Sequence, residues 1–440
     1  MKKLKFLTLA AIAAATAMVS SCSDNGDLST PTKEAEGKAL VVNPTVLDSR
    51  VTPLAKSAFT GFKLYGVQNP TNGESVGSFI KTEENSGVNY SGTFGESAAE
   101  VAFAPANAVK WPTTNPDNSA NFYGISVQGG SDLTGSGITV TEDGITEGTF
   151  SYAAPMSGGY VDLSKQKDIM IASSLEATQS TDNGVVTLPF KHAFAKLTLQ
   201  LRWNSSEWIL ANIGSPASVI EDDAILVVDY IKIHNIKCNG TYSFTADDGN
   251  GGKGKWTVNG ENSTIMFKYE TPKRFTAQKY TYKAEYLADH PGLQEDAQEV
   301  IDACNANPFK VQDFLVGNDA IMIIPQTLAL WENNGSFATN TTGPFIEMRC
   351  AAYNTTGATE DEIRDINWWD DEAEGLFVEI LGSSNLDDKY MTSVYFPIRV
   401  NSTTAFTFEA NKSYNFRLNV ATCRQDNGTA AIQGVTVDPH

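Results

Sequence analysis

A chain of 440 residues is too long for one compact domain and indicates two or three folded units. Hydrophobic residues make up 41% of the chain and charged residues only 19%, so it can bury large cores and is not a broadly disordered protein. The 32 Lys and Arg residues against 52 Asp and Glu leave a net charge of -20, which excludes nucleic-acid binding and attachment to anionic lipids by charge.

The N-terminal segment predicts export and a lipid anchor. Three lysines precede an apolar stretch, residues 6–19, which is too short to span a membrane comfortably and is typical of a secretion signal over residues 1–21. The stretch ends Val19-Ser20-Ser21-Cys22, which resembles a bacterial lipobox; the alternative is a cysteine that follows small residues by chance. We therefore expect Cys22 to be the mature N-terminus, with acyl chains that tether the protein to the outer membrane without spanning it.

Ordered structure is predicted to begin near Ala39. Residues 23–38 are rich in Ser, Thr, Asp, Glu, Lys and Gly and poor in large apolar residues, which is the composition of a solvated tether. The next run, residues 39–47, is apolar enough to form a strand, although it contains Pro44. Proline cannot donate a hydrogen bond to a neighbouring strand, so this strand should lie at a sheet edge or contain a bulge.

The rest of the chain predicts an all-β fold. Short runs of alternating or continuous apolar residues are bounded by Gly, Asn, Asp and Pro, and no long segment has a convincing helical period. Clear alternation is seen in Val394, Phe396, Ile398 and Val400, and in the series that begins at Tyr414. Each such run predicts a strand with one face in a core and the other toward water.

Turns and the domain boundary are predicted from the polar segments. The Gly-rich segment 247–254 predicts the tip of a hairpin, and one short helix is expected at 292–305. A polar turn at 182–184 precedes the strongest group of strands. We therefore place the boundary between an N-terminal domain, 51–190, and a C-terminal domain, 191–440, near residue 190.

Several segments share their order and pattern with a known family. Residues 188–197 read Leu-Pro-Phe-Lys-His-Ala-Phe-Ala-Lys-Leu, which resembles the F-x-H-A-L-A-K-L run of the fimbrillin family, the Mfa-like pilins of type V pili in Bacteroides-type bacteria. Further similar segments are 168–172, 228–233, 321–327, 408–420 and 432–437. The chain departs from the family at its end, where many members have Trp and this sequence reads Asp438-Pro439-His440.

The resemblance implies a fold and a mode of assembly. It implies two tandem transthyretin-like β-sandwich domains with Greek-key-type antiparallel sheets. It also implies a lipoprotein precursor at the outer membrane, which an extracellular trypsin-like protease cuts after an arginine to remove the first strand. The groove that this strand leaves would then accept a strand from another pilin subunit, since an unpaired sheet edge beside exposed core residues binds a replacement avidly.

Two segments are the candidate parts of this exchange. The propeptide would be residues 22–50, with the cut between Arg50 and Val51, although Arg50 could be an ordinary linker residue. The candidate donor strand is 430–437, in which Ile432, Val435 and Val437 could fill the groove. The alternative is that this segment stays in its own domain.

Cysteine and histidine offer little other chemistry. The sequence contains 5 Cys and 4 His, too few for a protein with several zinc sites or a haem, and we expect no cofactor and no metal. Cys238, Cys304, Cys350 and Cys423 could form disulfides, but buried free thiols are the expected state because large cores do not need the crosslinks. His192 lies between aromatic residues in a predicted strand and is expected to be structural.

The acidic segment 361–374 around Trp368 and Trp369 could hold calcium or present an aromatic face to a sugar ring. It lacks the regular ligand spacing of a calcium loop, so a solvated acidic loop is the expected state. No sequence pattern of a hydrolase, metalloprotease or phosphate-binding loop is present, and we expect no enzymatic activity.

These observations predict a fimbrial subunit, exported as a lipoprotein and assembled with other pilin subunits at the cell surface to support adhesion and biofilm formation. A host or bacterial surface molecule is a possible ligand, and the subunit's place in the stalk, base or tip stays open. The alternative is a monomeric lipoprotein at the cell surface that binds glycans through aromatic residues such as Trp368.

Overall fold

The short apolar runs of the sequence form strands throughout the part of the chain that the computed structural model describes. The described residues are 38–46, 59–70, 77–80, 87–94, 101–111, 118–180, 184–202, 224–249, 251–276, 287, 290–294, 297–300, 312–315, 320–331, 343–354, 378–381, 392–400, 403–419 and 435–439. All of them belong to one unit, Gly37–His440. The predicted all-β fold class is confirmed.

The strands are numbered in chain order. The first half of the chain contributes β1 Val41–Val46, β2 Gly61–Gln68, β3 Gly77–Ile80, β4 Val88–Phe94, β5 Val101–Pro105, β6 Ser119–Val127, β7 Ile138–Thr139, β8 Thr149–Ala153, β9 Met156–Ser157, β10 Tyr160–Val161, β11 Ile169–Thr178 and β12 Val185–His192. The second half contributes β13 Ala195–Arg202, β14 Ala224–Asp247, β15 Lys253–Thr276, β16 Gln312–Leu315, β17 Ile321–Ile323, β18 Gln326–Thr327, β19 Phe345–Asn354, β20 Val378–Leu381, β21 Thr392–Pro397, β22 Thr407–Phe408, β23 Lys412–Asn419 and β24 Val435–Pro439.

The helices that the structure describes in full are short. The α-helix α1 spans Glu142–Glu147, and a 3-10 helix spans Leu163–Lys165. Thr141 caps α1 by accepting a hydrogen bond from the Gly144 amide, and Gly148 ends it in the left-handed conformation at φ 68°. The helix predicted at 292–305 is described only in part. None of the helices in the described ranges is long and apolar enough to cross a membrane.

The first sheet contains eight strands in the order β1-β12-β11-β6-β2-β4-β5, with β3 paired to β2. Adjacent strands in this sheet pair antiparallel, except β1 and β12, which pair parallel. β1 and β5 therefore end this path, and β3 has β2 as its one partner among the described strands. The chain leaves the sheet after His192 and enters a different one at Ala195.

The second sheet is organised by the long hairpin β14–β15, whose tip lies where the Gly-rich segment 247–254 predicted it. Its nine strands follow the order β20-β19-β14-β15-β10-β9, with β8 paired to β14 and β7, and β21 paired to β19. A third sheet has the order β16-β13-β23-β24, with β17 paired to β13. The sheets are mainly antiparallel, with two further parallel pairs, β10–β15 and β13–β23.

The sheet to which a strand belongs does not follow from the strand's position along the chain. β7 to β10 precede residue 190 but pair in the sheet of the long hairpin. The boundary near residue 190 and the division into two transthyretin-like sandwiches stay predictions.

Two hydrophobic cores share the first sheet between them. Met170 and Ala172 of β11 belong to the core that also contains Val42, whereas Ile169 and Ile171 belong to a larger core formed with the second and third sheets. Side chains alternate between the faces of a strand, so a strand buried on both faces is apolar at successive positions. This accounts for the continuous apolar start of β11.

The cysteines of the described residues are free and structural. Cys238 and Cys350 are both buried free thiols. Burial raises the pKa of both thiols, which keeps them protonated and unreactive. Cys304 and Cys423 lie outside the described residues.

Candidate functional site

The strand β1 closes one edge of the first sheet and covers part of its core. Leu40 and Val42 are buried, with exposed fractions of 6% and 5%, whereas Val41 between them is 53% exposed. This alternation is that of a strand with one face on a core and one toward water. β1 is therefore an edge strand that nevertheless contributes core side chains.

Pro44 occupies a position in β1 that leaves the pairing with β12 intact. Successive backbone amides of a strand point to opposite sides, and the Val41 amide donates to the Gly184 carbonyl on the β12 side at 3.2 Å, whereas the Leu40 amide donates to Val109 on the other side at 2.8 Å. The nitrogen of Pro44 shares the parity of Leu40 and faces the outer edge. The proline thus removes a donor only from the free edge, which is where prolines are tolerated and where they hinder further pairing.

Beside the buried side chains of β1, on the same face of the sheet, lies a strip of apolar side chains on β12. Val42 is opposite Val186, Pro44 opposite Leu188, and Val46 opposite Phe190. These three β12 side chains are almost completely buried, at 1%, 0% and 0% exposed. If β1 left, this strip and the unpaired backbone of β12 would face solvent together.

The floor of this groove is aromatic. The Phe190 ring lies 4.9 Å from the Phe59 ring and 5.1 Å from the Phe62 ring, centroid to centroid. Phe103 contacts the same pair at 5.7 and 6.0 Å. Aromatic side chains bury the most apolar area per residue, so an open groove here would favour any chain that covers it.

The beginning of β1 is held by a short second partner. The Trp111 amide donates to the Lys38 carbonyl at 3.0 Å, and the Trp111 indole donates to the Gly184 carbonyl at 3.4 Å. Ala39 forms an isolated antiparallel bridge with Lys110. Residues 38–40 are therefore bound on both sides, whereas β1 proper is paired on its β12 side only, as far as the described residues show.

The C-terminal strand β24 is also an edge strand. It pairs antiparallel with β23 at the edge of the third sheet, with Val437 opposite Tyr414 and Val435 opposite Phe416. Opposite residues of such a pair share one face of the sheet. Tyr414 is 2% exposed on that face, yet Val437 is 49% exposed. Val437 therefore contributes an apolar side chain that its own domain only half covers.

The remaining predicted site residues lie outside the described residues. These are Cys22, Arg50, Val51 and Ile432, together with the acidic segment around Trp368. The structure places β1 and β24 in different sheets and brings neither onto the other.

Each histidine that the structure describes in a strand lies within hydrogen-bonding distance of a carboxylate. His192 is buried, and its Nδ1 lies 2.8 Å from Asp168 Oδ2, which is consistent with the structural role predicted for it. His234 belongs to a cluster that the sequence did not indicate, in which its Nε2 lies 2.7 Å from Glu347 Oε2. Tyr230 and Ser393 donate to the other oxygen of Glu347 at 3.0 and 2.9 Å.

The lowered pKa of Glu347 in this cluster predicts how the stability of the fold changes at acid pH. Burial alone would raise the pKa of Glu347, but the His234 and Ser393 contacts and the charge of Lys232 outweigh it and lower the pKa to about 2. A carboxyl with a lowered pKa stabilises the fold above its unfolded pKa and loses that contribution as the pH falls toward its folded pKa.

We expect Glu347→Gln to flatten the dependence of stability on pH between about 5 and about 2. Urea unfolding across this range should show the wild type losing about 3 kcal/mol more than the variant. Parallel curves for the two proteins would show that Glu347 is not held ionised by its neighbours.

Comparison with known proteins places these features in context. A family model described as "Fimbrillin-like" matches residues 50–439. Among solved structures, the chain is similar to a fimbrial protein from Bacteroides vulgatus, with 10% identity, a TM-score of 0.41, and 92% of this chain and 98% of that chain covered. It is also similar to the tip fimbrial protein Mfa3 from Porphyromonas gingivalis, with 7% identity, a TM-score of 0.32, and 88% and 97% covered. A search of curated proteins gives no match.

Proposed function

The chain belongs to the fimbrillin-like family, which supports a fimbrial subunit at the cell surface, and we propose that it is made as a lipid-anchored precursor that assembles by donor-strand exchange. In this proposal a protease cuts after Arg50, β1 leaves its groove, and a strand from another subunit replaces it. The subunit acts by pairing and not by catalysis. The assembled fimbrium would then support adhesion and biofilm formation.

The observation that carries the proposal is that β1 is an edge strand and also contributes side chains to the core. Within the described part of the chain it is an edge strand paired with β12 alone, so it can leave without breaking the sheet in two. Its buried side chains lie beside Val186, Leu188 and Phe190, so its departure would create an apolar groove with a free backbone edge. Such a groove favours a replacement strand, because backbone hydrogen bonds and side-chain burial are both recovered on binding.

The groove that β1 leaves would lead to assembly of subunits. A strand that one subunit supplies and another accepts makes a head-to-tail contact, which continues into a fibre unless rotation closes a ring. The family match covers residues 50–439, which include the proposed cut site at Arg50. In this proposal residues 22–50 are the removable propeptide.

We assign the donor strand to 430–437, of which residues 435–437 lie in β24. Its support is the edge position of β24 and the half exposure of Val437 on the face that Tyr414 shares. Ile432, Val435 and Val437 are the side chains that would enter the groove of the next subunit. In the described structure β24 pairs with β23 of its own chain, so donation requires this pairing to open.

Export and anchoring complete the proposal. Cys22 would carry the acyl chains that hold the precursor at the outer membrane, and a trypsin-like protease would separate the subunit from this anchor by cutting after Arg50. One cut would thus both release the subunit and open its groove. This coupling prevents assembly before the subunit has reached the surface.

The test compares Arg50→Ala with a matched control, Lys56→Ala, which removes a basic residue from the same segment. Purified precursor is treated with an arginine-specific endoprotease, sequenced from its N-terminus and viewed by electron microscopy. We expect the wild type and Lys56→Ala to acquire Val51 as their first residue and to form fibres, and Arg50→Ala to do neither. Fibres from uncut Arg50→Ala, or a wild type that is cut at Arg50 and stays monomeric, would overturn the proposal.

A further inference from the structure

A solvent-open cavity of about 540 Å³ lies away from the strand edge. It is formed where three parts of the fold meet: the turn that follows β6, the segment from β9 to the 3-10 helix, and the middle of β15. This volume is in the range of small-ligand sites, which often lie where separate structural layers meet.

The cavity is lined by two aromatic residues and several neutral polar groups. Tyr160 and Phe267 are the aromatic residues, and Gln128 and Ser157 contribute an amide and a hydroxyl. Within the described residues, the Tyr160, Gln128 and Ser157 side chains make no hydrogen bond to the protein, so their polar atoms are available to a ligand. Lys232 lies over the Tyr160 ring, with its Nζ 5.4 Å from the centroid.

Gln128 is held in a conformation that a side chain rarely adopts. Its φ is 49°, in the left-handed region, and its backbone N–H donates to the Asp168 carbonyl at 2.8 Å. The glycine that follows it, at φ 81°, has no such restriction. Non-glycine residues with positive φ carry a cost of about 1 kcal/mol, and they occur more often at functional sites.

The two charged side chains of the cavity lie near groups of opposite charge. Asp162 accepts hydrogen bonds from Ser164 and lies 2.9 Å from Lys165 Nζ. Lys268 Nζ lies 3.8 Å from the buried carboxylate of Asp229, which Arg349 Nε also approaches at 3.8 Å. A neutral polar ligand would use the free lone pairs and donors of the cavity.

We propose that this cavity binds a neutral saccharide. A pyranose ring has an apolar C–H face, which suits the aromatic rings of Tyr160 and Phe267, and a rim of hydroxyl groups that both donate and accept hydrogen bonds. The Gln128 amide and the Ser157 hydroxyl do the same, and Asp162 has lone pairs left to accept. The site is separate from β1 and β24, so the uncut monomer should bind sugar whether or not it assembles.

The test uses the uncut full chain and a panel of glucose, galactose, mannose, N-acetylglucosamine, N-acetylgalactosamine and lactose. Saturation-transfer NMR identifies the sugars that bind, and titration gives their dissociation constants. We expect at least one dissociation constant below about 10 mM. Tyr160→Ala should weaken that binding about tenfold, and Gln128→Gly about fivefold through the lost hydrogen bonds.

Gln128→Gly has a matched control in Glu176→Gly. Glu176 is also exposed and also has a positive φ, 58°, but it does not line the cavity. Glycine relieves the backbone at both positions, so neither variant should melt earlier than the wild type. We expect only Gln128→Gly to weaken sugar binding. Absence of binding by the whole panel, binding that neither Tyr160→Ala nor Gln128→Gly changes, or equal weakening by Glu176→Gly would overturn the proposal.

Discussion

Val42→Asp should release β1 from the first sheet without any proteolytic cut. Val42 is 5% exposed and lies opposite Val186, so the substitution would bury a carboxylate with no partner against an apolar strip. Burying an unpaired charge costs several kcal/mol, and detachment of an edge strand avoids that cost. We expect the detached state to gain at least about 3 kcal/mol relative to the paired one, a change of about a hundredfold.

Two measurements show this release. Hydrogen exchange should become about a hundredfold faster at the β12 amides that β1 protects, and the uncut variant should form fibres where the uncut wild type stays monomeric. Val41→Asp is the matched control, because Val41 is the next residue and is 53% exposed on the opposite face. Equal behaviour of the two variants would show that burial of the β1 side chains does not hold the strand in place.

The character of β1 could be predicted from local sequence. Apolar residues at positions 40 and 42 indicated a strand, and Pro44 indicated an edge, because proline lacks the donor that a central strand needs. The parallel pairing with β12 could not be predicted in this way. Residues 41–46 are far from 185–190 in sequence, and their register depends on the tertiary packing of Leu188 and Phe190.

The alternating pattern ran past the end of its strand. Val394, Phe396 and Ile398 are buried as the pattern predicted, but Val400 is 60% exposed. β21 ends at Pro397, so Ile398 follows the strand directly, whereas Val400 lies three residues beyond it, where a period of two is not expected. The pattern that predicted Val400 as a core residue was therefore wrong because it crossed the end of a strand.

Short elements and composite sites escape a search for periodicity. Thr141 and Gly148 are start and stop signals for α1, but its six residues are too few to show a helical period. The cavity at Tyr160 is assembled from segments that lie more than a hundred residues apart, including Gln128 and Lys268. Its existence depends on how the sheets pack together, which local sequence periodicity does not predict.

The most direct test of the account fastens β1 to β12 by a disulfide. Asn43 and Thr187 are opposite each other in the register, on the face away from the core, so the double variant Asn43→Cys with Thr187→Cys places two thiols side by side. The oxidised variant is cut with the arginine-specific endoprotease, and fibre formation is followed before and after addition of reductant. The same protein thus serves as its own control.

We expect the oxidised protein to be cut after Arg50 yet to stay monomeric, because the groove remains filled by the attached strand. Reduction should then release β1 and start fibre growth. Fibres that form equally well with the disulfide intact would show that assembly does not require β1 to leave, and would contradict the strand-exchange account.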